Sequence, residues 1–170
     1  NQRSGVSVRF TITNHEVMVA NAARRALRHG EREVSPRISD LEALPASMMG
    51  KIEIESLEEG RDAQIAENLV KAAVLTVFKE LLTPERFRPI VTAFEEGAVI
   101  HVGEDVTSAE YVALLESQPA LREAVTDLTG GDESAAVVAS AVELVLEGLH
   151  LSKRLNKDAV GARATYRARA

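Results

Sequence analysis

The sequence predicts a mainly α-helical protein, a helical bundle carrying a small two-stranded β ribbon. Three observations predict it. Most of the 170 residues fall into stretches whose apolar side chains recur at helical spacing. Helix punctuation separates these stretches: Thr83-Pro84-Glu85, Thr107 with Glu110, and glycines at 30, 97, 130 and 131. Only Lys51-Ile-Glu-Ile-Glu55 and Ala98-Val-Ile-His-Val102 alternate as half-buried strands do, and the expected ribbon pairs these two runs.

Residues 6–12 alternate like a strand at Val6, Val8, Phe10 and Ile12, but beyond them the helical reading takes over. Val8, Ile12, Val19, Ala23, Ala26 and Leu27 share one helical stripe, and Gly30 is a natural residue to follow a helix end, so one helix is expected over 7–29. Pro36, Pro45 and Gly50 break regular structure over 31–50, leaving a short turn at Ser39-Asp-Leu-Glu42. Helices follow over 62–82, apolar and expected to be buried through 69–78, then 84–97, 107–117 and 119–128. The last, 132–157, carries Val138, Val142, Val145 and Leu149 on one face. From Ala159 small and basic residues offer little to bury, which predicts a disordered basic tail over 159–170.

Composition narrows the function classes. The chain has no cysteine, hence no disulfide framework and no thiolate metal site. No apolar run approaches the roughly 20 residues that cross a bilayer, and no signal peptide opens the chain, so a cytoplasmic protein without membrane partners is expected. Opening on Asn1, the chain reads as a piece excised from a longer protein. The net charge of −6 is unevenly spread: residues 1–38 hold seven arginines against three glutamates, a local +4, which leaves −10 for the other 132 residues. An anionic partner such as a nucleotide phosphate belongs at the basic end. Nucleic acid is the least favoured partner, because the chain is acidic overall and poor in aromatic residues.

Catalytic motifs are mostly lacking. Gly50-Lys51 has Pro45 where a phosphate-binding loop needs a glycine, and Ile52 where it needs Ser or Thr. His15, His29, His101 and His150 are scattered without metal-ligand spacing. The acidic pairs Glu58-Glu59, Glu95-Glu96 and Glu104-Asp105 read as solvated acids at element ends.

What remains is Gly5-Val-Ser-Val-Arg9, opening a long alanine-rich helix, followed by Val34-Ser-Pro-Arg-Ile-Ser-Asp40. With Gly5, Ser7, Arg9, Ala20, Ala23, Ala26, Gly30, Val34 and Asp40, this segment resembles the sensor-2 helix of the magnesium-chelatase/MoxR group of AAA+ ATPases, although Val34 and Asp40 stand further apart than in the group. The likeness extends through Leu44-Pro-Ala-Ser47, 50–55 and Glu143 to His150. It implies a sensor-2 helix and the start of a helical lid over 1–50, and a helical C-terminal extension over 51–158. It implies Arg9 as the catalytic, phosphate-sensing arginine, with Gly5, Ser7 and Arg9 on the nucleotide side and no metal ligand in this chain. ATP and Mg²⁺ are the implied cofactors, held mainly by motifs upstream of Asn1. A homo-oligomeric ring, hexameric by resemblance, and a partner with a von Willebrand factor A domain are the implied partners.

Physical chemistry supports the same residue independently. A guanidinium beside the free N–H groups of a helix N-terminus makes a fork of donors for phosphate oxygens. The rival for Arg9 is a surface ion pair. The rival for the whole chain is a nucleotide-independent helical interaction module whose acidic bulk docks on a basic partner.

Overall fold

The computed structural model describes residues 4–54 and 61–169. It is mostly helical, with seven α-helices and two small antiparallel sheets among those residues. Helix α7 (Ala135–Leu151) is the axis of the molecule. Its run of Ala, Val and Leu buries Val138, Val142, Val145, Leu146 and Leu149 on nearly all sides, as a helix without a polar face must.

Around α7 pack α3 (Asp62–Leu81), α5 (Ser108–Glu116) and α6 (Pro119–Thr129), with α4 (Pro84–Glu95) on the outside of α6. The starts of α4, α5 and α6 carry punctuation visible in the sequence. Pro84 and Pro119 open α4 and α6, and Thr107 and Glu110 close a reciprocal capping box on α5. The α3–α7 contact depends on Gly148, because a Cβ there would lie 2.1 Å from the ring of Phe78.

The main core joins these helices to the face of a sheet built from β3 (Ile100–Gly103), β4 (Leu155–Val160) and β5 (Arg163–Ala168) in the order β3-β5-β4. A smaller cluster of Leu44, Met48 and Ala66 lies under α1 (Arg9–His29) and α2 (Leu44–Met48), with Phe10, Val17 and Met18 packed on it. Between α1 and α2 a short 3-10 helix runs over Ile38–Ala43. Helix α3 serves both clusters, placing Ala66 in the smaller and Phe78 in the larger.

The structure corrects four expectations. The expected pairing of the 51–55 and 98–102 runs does not occur among the described residues: β2 (Ile52–Ile54) joins β1 (Ser4–Val6), and β3 joins β5. The last helix stops at Leu151 rather than 157, where Lys153 takes a positive φ of 60° and turns the chain into β4. The tail predicted to be disordered forms β5, the central strand of its sheet. Ala164 and Tyr166 alternate inward there, and Gly161, with φ 60°, opens a two-residue hairpin loop. Finally, the apolar stripe of α1 is, apart from Ala26, not its buried face. The helix turns Ala22, Arg25 and Ala26 inward, leaving Val8, Ile12 and Leu27 exposed, and α3 likewise leaves Leu69 and Val77 half-exposed within its apolar run.

Candidate functional site

Gly5, Ser7 and Arg9 come together at the junction of β1 and α1. Gly5 sits opposite Glu53 in the β1–β2 ladder, and the Ser7 amide donates to the Lys51 carbonyl at 3.0 Å, which fixes the strand end. Ser7 then supplies acceptors to the first turn. Its carbonyl receives the Phe10 amide at 2.9 Å and its hydroxyl the Arg9 amide at 3.3 Å. Val8, which precedes the helix, provides no side-chain cap, and no acid stands in the first turn, so that turn itself supplies no negative charge to the positive end of the α1 dipole.

Arg9 projects from this end, exposed to solvent. Among the described residues the other arginines of α1 have work to do: Arg24 donates to Asn21, Arg28 pairs with Glu104, and Arg25 is buried against Asp40. Arg9 has no side-chain partner among them. A phosphate group fits this donor set. A Mg²⁺ ion does not, for want of a carboxylate in that turn.

Sequence reasoning missed a second constellation, buried between α1, the 3-10 helix and α7. The Arg25 guanidinium holds Asp40 through Nε at 3.2 Å and Nη2 at 2.9 Å, and also donates to the Ser35 carbonyl. Asp40 in turn accepts the Arg37 amide at 2.8 Å, closing the turn that starts the 3-10 helix. Arg37, wholly buried, reaches across to the Val106 carbonyl at 2.7 Å and the Ser108 hydroxyl at 2.5 Å, and lies 4.8 Å over the Tyr111 ring. Burial, with Arg25 nearby, lowers the Arg37 pKa from its ordinary value. Its Nε is the one buried side-chain polar atom without a hydrogen bond among the described residues.

Two glutamates one turn apart on α7 continue this network. Glu143 accepts from the Tyr111 hydroxyl at 2.5 Å, the Ser39 amide at 2.8 Å and the Ser39 hydroxyl at 3.2 Å. Glu147 accepts from the Tyr166 hydroxyl at 2.5 Å and from Lys157 at 2.8 Å. Burial pushes the Glu143 carboxyl above the usual carboxylate range, against the pull of these donors, and burial raises both tyrosines as well. Glu143, Glu147 and Tyr166 line a cleft of about 500 Å³ between the 3-10 helix, α3 and the sheet, together with Leu41, Pro45, Val70 and Val102. A signal for half of this was present in the sequence: Arg25 shares a helical face with Ala22, and glutamates inside an otherwise apolar helix need partners.

No group of three or more histidines or carboxylates among the described residues could hold a metal ion. None of their helices is long and apolar enough to cross a membrane. No family model matches the chain, and no curated protein or solved structure does either.

Proposed function

We propose that this chain is the helical lid region of a magnesium-chelatase-like AAA+ ATPase, and that it contributes Arg9 as the arginine sensing the nucleotide's γ-phosphate. The observation that carries this reading is the state of Arg9: exposed at a helix N-terminus whose first turn holds no acid, and unclaimed by any described side chain. ATP, when bound, supplies the phosphoryl group and Mg²⁺ its charge neutralisation. The chain's own part is to hold a cation where charge spreads over the phosphate oxygens. Ser7 anchors the first turn from which Arg9 extends, and Gly5 ties that turn to β2. The remaining helices form a surface for a homo-oligomeric ring, hexameric by the same likeness, in a cytoplasmic protein that remodels a partner such as a von Willebrand factor A domain protein. Alone, the chain does not hydrolyse ATP.

Substituting Arg9 by alanine in the full-length protein tests this. Turnover is expected to fall on the order of 10²-fold, the size of effect that follows loss of one donor to developing negative charge. Unchanged turnover in a folded, assembled variant would overturn the assignment. A second reading, a nucleotide-independent interaction module, is favoured by the cleft that Glu143 and Glu147 help to line, whose lining includes neither Ser7 nor Arg9. Under that reading the Arg9 substitution changes nothing, and polar substitutions at Val70 or Leu41 abolish partner binding.

A further inference from the structure

The cleft between the 3-10 helix, α3 and the sheet has the make-up of a small-molecule site. Its volume of about 500 Å³ lies within the roughly 300–1,000 Å³ of drug-sized ligand pockets, which combine apolar walls with a few convergent polar groups. Here Leu41, Pro45, Val70, Val74 and Ala164 supply the walls. None of the lining residues belongs to β1 or α1, so the site is separate from Ser7 and Arg9.

The polar groups decide what fits. The lining carries three cations, and each is engaged: Lys157 with Glu147 at 2.8 Å, Lys71 with Glu67 at 3.7 Å, and Arg163 with Asp105 at 3.5 Å. The acids are not all matched. Glu42 has neither a hydrogen bond nor an ion pair among the described residues. Glu147 is 6% exposed and takes both its donors, Tyr166 and Lys157, on Oε2. Its Oε1 accepts from no described group, yet it is not sealed in, because the one sealed and unbonded polar side-chain atom among those residues is Arg37 Nε. A carboxylate oxygen in a recess with apolar walls calls for a donor, and a charged donor forms the stronger bond. Glu143 offers no such opening, since both its oxygens already accept. A water molecule would satisfy the Glu147 oxygen but leave the walls wet, whereas an amine with an apolar body covers both.

We infer that the cleft binds a small organic amine, its ammonium on Glu147 Oε1 and its apolar body against Leu41, Val70 and Val74. The site uses neither Arg9 nor nucleotide, so a failure here leaves the Arg9 turnover assay unaffected.

The experiment titrates the 170-residue chain into tryptamine and follows the probe's indole fluorescence, which the chain does not mask because it has no tryptophan. Indolepropionate and tryptophol, with the same ring and linker, are the acidic and neutral probes. Tryptamine is expected to bind saturably and about tenfold more tightly than either, the worth of one charge-assisted hydrogen bond. Glu147→Gln is expected to weaken tryptamine binding by about tenfold. Lys157→Met, on the edge strand β4, removes the cation that competes for Glu147 and is expected to tighten tryptamine binding by roughly twofold to fivefold. Circular dichroism checks the fold of both variants, and Lys157→Met carries the test if Glu147→Gln does not fold. Tryptamine that does not bind saturably, an acidic or neutral probe that binds as tightly, or a folded variant that does not move tryptamine affinity in its stated direction would each overturn the inference.

Discussion

Arg25 and Asp40 show what a buried charge does in this fold. Both side chains are at most 2% exposed, joined through two nitrogen–oxygen bonds, and together they lock α1 to the turn at Arg37. Removing one partner strands the other in a low-dielectric interior, so Arg25→Ala is expected to lower unfolding free energy by about 3–5 kcal/mol in urea titration. Arg24→Ala, on the exposed side, shifts it by less than about 0.5 kcal/mol. Glu143 behaves differently because burial raises its pKa. A group whose folded pKa is raised contributes stability below its unfolded value, here the ordinary 4.5, and loses it as pH rises through the folded value. Glu143→Gln does not titrate. The difference in urea midpoint between variant and wild type therefore moves in the variant's favour from pH 4 to pH 7, and a pH-independent difference would contradict the burial-dominated shift.

The elements differ in how plainly their sequences announce them. Helices with local punctuation were legible almost to the residue: Thr83-Pro84 opens α4, Thr107 and Glu110 cap α5, and Gly30 follows α1. Strand β5 was not, because Ala164 and Tyr166 alternate within a run of arginines and alanines whose bulk gives no periodic signal, and its value lies in pairing with β3 on one side and β4 on the other. That pairing makes the segment structural rather than a dispensable tail. Truncation after Val160 deletes the central strand and opens the core at Tyr166, and is expected to abolish cooperative thermal unfolding. A truncated chain that melts like the full one would show that β5 adds nothing to the core. The face of α1 was legible as a stripe but not as an orientation. A periodic pattern states which residues share a side, whereas the Arg25–Asp40 pair decides which side turns inward.

Across the whole molecule the chain divides into two working regions. A rigid, charge-laced interior runs from Arg25 through Arg37 and Tyr111 to Glu143, coupling the first helix to the central α7. An open end at Ser7 and Arg9 stands free of that network. Of the nominated site, the residues and their juxtaposition at a helix start were readable from Gly5-Val-Ser-Val-Arg9. The buried Arg37 and the paired tyrosines were not, because their partners lie 32 to 71 residues away in sequence or on a strand that was itself unread. The proposed lid function makes the free arginine the one point where this scaffold meets nucleotide chemistry. The direct measurement is steady-state ATP turnover of the full-length protein carrying Arg9→Ala, Arg9→Lys or Arg24→Ala, each checked for assembly. A phosphate-sensing Arg9 predicts a loss on the order of 10²-fold for alanine, a smaller loss for lysine, which keeps the charge without the fork, and wild-type turnover for Arg24→Ala. Equal turnover in all three assembled variants would contradict it.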